Sequence, residues 1–210
     1  MSNSVTSRSD ELLDVVDEFG RPTGQVLDKA AIHKQRDPVN SANVVDGVPL
    51  GLRHLDTHVW ITNGHDLLQQ QRHPDKPIMP DEWDVSVGGH VGAGESTLDA
   101  AVRETAEELG LILPRKRFVY IGRVASQLHF AGWTHAHNIV GDNFAVVEPD
   151  LQVTDLKLQP EEVAGARWYP LDQLEDDLVR PATSSLHAPQ PKILYAMGIA
   201  GMRGVSASLR

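Results

Sequence analysis

The sequence predicts a mixed fold of α-helices and β-strands, and two observations indicate it. Short stretches typical of strands, such as residues 58–62 and the alternating residues 83–87, recur on both sides of one helical pattern at residues 98–109. The chain has 210 residues, of which 40% are hydrophobic, and this is enough for one packed domain. Periodicity alone supports an α/β or an α+β fold and leaves the two open.

The first 51 residues predict an extension that precedes the main strands. Apolar residues occur before and after a turn that contains glycine and proline, which is typical of a hairpin, and an aspartate precedes a short helical pattern. The expected segments are a disordered terminus (1–9), a hairpin (10–27) turning at residues 20–24, a short helix (30–32) capped by Asp28, and a polar loop (37–51).

The remainder of the chain predicts strands around the central helix. The expected strands are residues 58–62, 66–71, 83–87, 117–124, 136–147 and 163–169. A short acidic helix is expected at residues 171–178 and a last one at 193–197. We therefore expect a single domain over residues 10–180, followed by a C-terminal loop and short helix over residues 181–210.

The most informative stretch runs from Gly89 to Leu111 and reads GHVGAGESTLDAAVRETAEELGL. Ser96 and Thr97 suit the start of a helix, and Gly110 suits its end. A stripe of residues at helical spacing is expected to face the core, and its members are Leu98, Val102, Thr105 and Leu109.

Three glutamates share another face of this helix. Glu104, Glu107 and Glu108 lie at positions i, i+3 and i+4, where like charges destabilise a helix. A hard cation removes this repulsion, and carboxylate oxygens in a chain without cysteine favour Mg²⁺ or Mn²⁺. The alternative is a solvated acidic face, but the glycine loop, Glu95 and Arg103 accompany the glutamates and favour the metal.

Overall composition limits the classes of partner. The net charge of −10 argues against a nucleic-acid polymer or an anionic membrane as partner, whereas a bound cation allows an acidic site to hold a small diphosphate. No apolar run approaches the roughly 18 residues of a transmembrane helix. The start lacks the apolar stretch of a signal peptide, so we expect a cytoplasmic protein. The oligomeric state stays open.

The stretch from Gly89 to Leu111 resembles the signature of the Nudix family: G, five residues, E, seven residues, then R-E-apolar-x-E-E-x-G-apolar. Thr105 stands where the signature usually has an aliphatic residue. The resemblance implies a Nudix α/β/α sandwich with a mixed sheet and a catalytic loop-helix. It also implies a metal-dependent hydrolase that cleaves the phosphoanhydride bond of a nucleoside diphosphate linked to a group X, or of a related small diphosphate.

The resemblance also assigns roles to individual residues. It implies that Glu104, Glu107, Glu108 and the backbone carbonyl of Gly89 bind the metal, while Arg103 and Glu95 orient these ligands. Glu104 is the first candidate for the general base, with Asp142 or a later acid as alternatives. Substrate contacts are expected at Arg72, Lys76 and His90, and ordinary surface charge is the alternative for the first two.

Longer segments are similar to the Nudix branch related to isopentenyl diphosphate isomerase, over about residues 10–178. The segments are DELLDVVDEFGRPTGQVLDKAAIHK, HVWITN, LLQQQR and WDVSVGGHVGAGE. The isomerase cysteine corresponds to Gly88, and this chain contains no cysteine. It keeps the R-E and E-E pairs that those isomerases usually lack, so hydrolysis is favoured over isomerisation. A nucleotide-binding module without catalysis is the other alternative, although such modules usually have eroded acids.

The same resemblance draws attention to several histidines. His33, His54 and His90 align with the metal-binding histidines of the isomerase, and His137 and Ile139 align with its two later glutamates. A second metal site or base at His33, His54, His137 and Asp142 is therefore an expectation, although Ile139 leaves it incomplete. Alternation along a strand would place Asp142 on the face opposite His137 unless a bulge intervenes. The alternative is that these histidines bond to loops or contact substrate.

Overall fold

The computed structural model of the protein describes residues 11–33, 44–45, 48–130, 136–179 and 192–208, and within them the fold is α+β. The strands are β1 (Leu12–Val16), β2 (Pro22–Asp28), β3 (Val44–Val45), β4 (Val48–Thr62), β5 (Asp66–Arg72), β6 (Trp83–Asp84), β7 (Val87–His90), β8 (Val119–Leu128), β9 (Ala136–Val147) and β10 (Val163–Pro170). The helices are α1 (Lys29–Ile32), α2 (Thr97–Leu109), α3 (Leu171–Val179) and α4 (Lys192–Ser208).

The described residues divide into two compact units. The first unit draws on Met1–Asp56, His90–Thr97 and Ala125–Gly141, and the second on Thr57–Gly89, Leu98–Val124 and Asp142–Arg210. A two-stranded sheet contains β1 and β2, and the other strands form a sheet in the order β10-β5-β4-β9-β8, with β3 and β7 paired to β4 and β6 paired to β5.

The first unit is built around a hairpin and a small apolar cluster. Strands β1 and β2 pair antiparallel, and the Asp28 carboxylate accepts a 2.8 Å hydrogen bond from the Ala31 amide at the start of α1. The cluster contains buried Leu13, Val15, Ile32 and Leu52, with Leu27 packed against them. The predicted hairpin and its capped helix are confirmed.

The second unit has apolar side chains on both faces of its strands. Because successive residues of a strand point to opposite faces, Val59 and Ile61 pack with α2, while Trp60 packs with α4. Helix α3 contributes Leu174 to the same cluster as Trp60. Helices therefore cover both faces of the strands within this unit, as in the expected sandwich.

Helix α4 approaches the strands of the second unit closely. A Cβ atom on Gly198 would lie 2.5 Å from the ring of Trp60, and one on Gly201 would lie 2.6 Å from Ile121. The helix is consequently well buried along one side, including Tyr195 and Met202. No helix in the described part of the chain is long and apolar enough to cross a membrane.

The element predictions hold in most places and fail in two. Strands at residues 66–71, 136–147 and 163–169 and the helix at 171–178 are confirmed within one residue at each end. The loop expected at residues 37–51 is wrong where the structure describes it, because Val44 and Val45 pair antiparallel with Pro49 and Val48. The last helix is much longer than residues 193–197, since its glycines hid the helical pattern.

Some boundaries also shift, and some expectations fall outside the described residues. Strand β4 begins ten residues before the expected 58, while β8 starts at Val119 after a short 3₁₀ turn. The stretch 83–87 contains β6 and the start of β7 rather than one strand. The disordered terminus (1–9), residues 37–43 of the loop and the segment 181–191 lie outside the described residues.

Candidate active site and a histidine cluster

Helix α2 is anchored on the core of the second unit and ends where the sequence predicts. Leu109 is fully buried, and Gly110 follows with φ 69°, in the left-handed region that favours glycine. Thr105 is also fully buried, and its hydroxyl donates a 2.7 Å hydrogen bond to the Ala101 carbonyl. A threonine is accommodated at this aliphatic position because its polar atom is satisfied within the helix.

The glutamate face of α2 is partly buried. Glu104 is 2% exposed and Glu108 is 4% exposed, whereas the Glu107 side chain is 44% exposed. Arg103 Nη1 lies 2.8 Å from Glu104 Oε1 and 3.3 Å from Glu107 Oε2, and Gln70 Nε2 donates to Glu108 Oε2 at 3.2 Å. One guanidinium thus faces a group of carboxylates whose burial is costly without a counter-charge.

Strand β7 brings its backbone against this face. A Cβ atom on Gly89 would lie 2.3 Å from Glu104 Cδ, so no other residue fits there without displacing the carboxylate. At Gly88 the nearest atom to such a Cβ would be His58 Cδ2 at 3.7 Å, which is ordinary contact. Oxygen donors from Glu104 and the backbone at Gly89 suit a hard divalent cation, so the residues present fit Mg²⁺ or Mn²⁺.

The glycine loop after β7 belongs to the first unit and is held by its own backbone and by β1. Glu95 Oε2 accepts a 2.9 Å hydrogen bond from the Gly92 amide, and Gly94 donates to Asp14 Oδ2 at 2.8 Å. The Ala93 amide donates to the Leu12 carbonyl at 2.8 Å. The carboxylate of Glu95 therefore takes part in a hydrogen bond within the loop.

Four histidines meet in the first unit, and we call them the histidine cluster: His33, His54, His90 and His137. One potential ligand atom from each lies within 4.8 Å of all the others. The Nε2 atoms of His54 and His137 are 3.1 Å apart, and those of His90 and His33 are 3.3 Å apart. His90, which was expected to contact substrate, thus lies among the histidines expected at a second metal site.

A carboxylate supports the histidine cluster. His54 is fully buried, and its Nδ1 lies 3.0 Å from Asp56 Oδ1. Burial by itself would raise the pKa of Asp56, but the imidazoles of His54, His90 and His137 hold the pKa below its ordinary value. Burial also lowers the pKa of His90 well below its ordinary value, although the Asp56 carboxylate opposes this shift.

The two basic residues expected to contact substrate have partners inside the second unit. Arg72 Nε donates to the Ile78 carbonyl at 3.0 Å, and its Nη1 lies 3.7 Å from Asp84 Oδ2. Lys76 forms an ion pair with Glu162, whose side chain is mostly buried. Both cations therefore take part in contacts that order the segment between β5 and β6.

Asp142 is not a member of the group of converging ligand atoms found among the described residues, which contains the four histidines. Its carboxylate is held at both oxygens by Arg123, at 2.7 Å from Nε and 2.8 Å from Nη2, with the Tyr120 hydroxyl at 3.4 Å. This bond raises the pKa of Arg123. A carboxylate engaged in this way is poorly suited to accept a proton.

Two features of the histidine cluster were not expected from the sequence. One is that His137 completes a set of four imidazoles without Ile139, and the other is the support of His54 by Asp56. A signal was present for the second, because residues two apart on a strand share a face and His54 and Asp56 have that spacing.

The layered second unit and the glutamate face of α2 define the class of the Nudix hydrolases. The chain belongs to the Nudix family: the family model described as "NUDIX domain" matches residues 52–188. The described fold agrees with that of DR0079 from Deinococcus radiodurans, which has a TM-score of 0.52 and 19% identity, with 89% of this chain and 97% of that chain covered.

Curated relatives include hydrolases and an isomerase. The chain is 28% identical to Nudix hydrolase 3 of Arabidopsis thaliana over 81% of its length, but it spans only 20% of that protein. It is 37% identical to an uncharacterized Nudix hydrolase of Listeria monocytogenes, over 60% of this chain and 68% of the relative. It is 29% identical to isopentenyl-diphosphate Delta-isomerase of Rhodobacter capsulatus, over 61% of this chain and 70% of the relative.

Proposed function

We propose that the protein hydrolyses the phosphoanhydride bond of a nucleoside diphosphate linked to a group X, or of a related small diphosphate, with Mg²⁺ or Mn²⁺. One observation carries the proposal. Buried Glu104 and Glu108 share a helix face with Arg103, and the backbone at Gly89 leaves no room for a side chain beside Glu104. Buried carboxylates need a cation beside them. Carboxylate and backbone carbonyl oxygens are the ligands that Mg²⁺ prefers.

The chain's own residues have distinct tasks in this reaction. Glu104, Glu107, Glu108 and the Gly89 carbonyl would hold the cation, which neutralises diphosphate oxygens and lowers the pKa of water. Arg103 restrains two of the carboxylates by its bonds to Glu104 and Glu107. A water attacks phosphorus, Glu104 accepts its proton, and the bond from phosphorus to the bridging oxygen breaks to give two phosphorylated fragments or a phosphate.

Four other residues have supporting or alternative roles in the proposal. Glu95 acts through the shape of the glycine loop, as its bond to the Gly92 amide supports. Arg72 and Lys76 are proposed diphosphate contacts, and they would exchange the Ile78 carbonyl and Glu162 for substrate oxygens. Asp142 is the weaker candidate for the base because Arg123 engages both of its oxygens.

The two alternatives have less support. Isomerisation would need an acid at the position of Gly88, where a side chain has room but the chain offers no thiol. A binding module without catalysis would not need the full set of acids that α2 keeps. Net charge of −10 supports a small diphosphate rather than a nucleic-acid polymer as partner, and we propose a cytoplasmic location.

The proposal is tested by hydrolysis of a panel of diphosphates with Mg²⁺ and with Mn²⁺. The panel contains nucleoside di- and triphosphates, nucleotide sugars, dinucleotides and prenyl diphosphates. We expect metal-dependent release of phosphorylated products that Glu107→Gln abolishes, while Asp176→Asn, which removes an exposed charge from α3, retains turnover. Tight binding of one compound without any cleavage would contradict the proposal and support the binding module.

A further inference from the structure

The histidine cluster offers a different kind of ligand from the glutamate face. We infer that His33, His54, His90 and His137 bind one Zn²⁺ ion, which acts as a structural centre of the first unit. Imidazole nitrogens favour Zn²⁺ and related transition metals, whereas Mg²⁺ and Mn²⁺ prefer oxygen. The inference assigns His90 to this ion and not to the substrate. The glutamates of α2, Arg103 and Gly89 are not ligands of the ion, so the inference does not depend on the proposed activity.

The spacing of the nitrogens fits a tetrahedral ion. Four nitrogens at a Zn–N distance of about 2.0–2.1 Å lie roughly 3.3 Å from one another. The pair from His54 and His137 is at 3.1 Å, and the pair from His90 and His33 is at 3.3 Å. Because all four ligand atoms lie within 4.8 Å of one another, small rotations of three half-buried rings complete the tetrahedron.

Asp56 favours the form of His54 that binds metal. His54 Nδ1 lies 3.0 Å from Asp56 Oδ1, so a hydrogen on Nδ1 would face the carboxylate, and the lone pair of Nε2 would be directed toward His137 Nε2 at 3.1 Å. Carboxylate support of this kind is common for histidines that bind metals and raises their basicity. The carboxylate also lies directly beside one ring of the cluster, and its negative charge favours a cation there.

The simplest alternative is a pair of hydrogen bonds between imidazoles. Such bonds would satisfy His54 with His137 and His90 with His33 as two separate pairs. They would not require all four rings to converge, yet the ring centroids of His33 and His54, of His33 and His137, and of His54 and His90 are all 5.1–5.3 Å apart. Convergence on one point is what a single ion needs.

The position of the ligands explains why an ion would be structural. His33 directly follows α1, His54 lies in β4, His90 ends β7 and His137 lies in β9, so one ion would join four separate segments. The apolar cluster of this unit is small, with Leu13, Val15, Ile32 and Leu52 buried. Four protein ligands also leave no open position for substrate, as in structural zinc sites.

The test uses the full chain without an affinity tag, after removal of metals with a chelator. Co²⁺ is added first, because tetrahedral Co²⁺ has an intense visible absorption that octahedral Co²⁺ lacks. We then expect Zn²⁺ to displace it at about one ion per chain and to raise the thermal unfolding midpoint, while millimolar Mg²⁺ does neither. The wild-type spectrum is informative even if a histidine variant fails to fold.

Variants assign the ion to the cluster. We expect His137→Ala and His54→Ala to lose the tetrahedral absorption, and Asp56→Asn to weaken Zn²⁺ binding about 10- to 100-fold. Glu107→Gln and His65→Ala, which removes an exposed histidine from the second unit, should bind Zn²⁺ as the wild type does. Absence of tetrahedral absorption from the wild type, or its persistence in both cluster variants, would overturn the inference.

Discussion

The glutamate face of α2 and the histidine cluster assemble their charged and polar groups in opposite ways. The glutamates come from one helical stretch of five residues, so the helix itself sets their spacing. The four histidines come from the residue that follows α1 and from β4, β7 and β9, and they converge only in the folded unit. The comparison shows that the geometry of a site can depend on a single helix or on the order of several strands. Different substitutions are therefore expected to disrupt the glutamate face and the histidine cluster.

The two groups also differ in the charge that they present. Carboxylates at Glu104, Glu107 and Glu108 are anionic oxygen donors that repel one another, whereas imidazoles are neutral nitrogen donors. We therefore expect the two groups to select different cations from the same solution. Substitutions that affect one group and spare the other make this difference measurable.

The largest expected effect comes from neutralising one glutamate without changing its shape. Glu104→Gln should lower kcat about 100- to 10,000-fold, because Glu104 is the proposed base and a proposed ligand. Zn²⁺ binding by the histidine cluster should stay at the wild-type level. Steady-state kinetics with Mg²⁺ and metal analysis of the same preparation measure both. Asp142→Asn should retain more activity than Glu104→Gln, and the reverse order would assign the base to Asp142.

A slightly smaller effect is expected from a single methyl group on β7. Gly89→Ala should lower kcat/KM about 100-fold, because its Cβ would displace the carboxylate of Glu104, which lies 2.3 Å away. Gly88→Ala is the matched control, since its Cβ would meet His58 Cδ2 at 3.7 Å. Circular dichroism of both variants serves as the check that they fold. Equal kinetics for the two variants would refute the close approach of β7 to the glutamate face.

Stability of the second unit should respond to two glycines of α4 in opposite directions. Gly198→Ala places a Cβ 2.5 Å from the Trp60 ring, and we expect a loss of about 1–3 kcal/mol in the free energy of unfolding. Gly204→Ala meets no atom within 4 Å and should add up to about 1 kcal/mol through helix propensity. Urea unfolding measures both, and a stabilising Gly198→Ala would contradict the packing of α4.

The smallest effect is expected at the one position of α2 that departs from the Nudix signature. Thr105→Val should change the free energy of unfolding by less than about 1 kcal/mol, because the hydroxyl bonds only to the Ala101 carbonyl within the helix. Activity should be unchanged, since the side chain faces the core. Thermal unfolding and kcat report the two quantities. A large loss of kcat would show that the core face of α2 positions its glutamates.

The sequence predicts local groups well because their geometry depends on neighbours along the chain. Helix α2, its end at Gly110 and the shared face of its glutamates follow from residue spacing, and the structure confirms the helix. The convergence of His137 with His54 requires the neighbouring order of β4 and β9, which no periodicity encodes. The resemblance to the isomerase pointed to these histidines, but it could not show that they converge without Ile139.

The two wrong predictions of secondary structure also have local causes. Val44-Val45 and Val48-Pro49 lie in a stretch rich in polar residues, which hid their pairing. Helix α4 carries three glycines, and each lowers helix propensity. At Gly198 and Gly201 close packing against Trp60 and Ile121 offsets this cost, and that packing is visible only in three dimensions.

The burial of α4 has a practical consequence for how fragments of this protein are designed. The match to the family model ends at residue 188, but the core continues through Leu194, Ile199 and Met202. A fragment trimmed to the matched residues would uncover Trp60, Leu174 and their neighbours to water. Apolar surface of that size promotes aggregation, so a soluble fragment of the second unit should extend to Ser208.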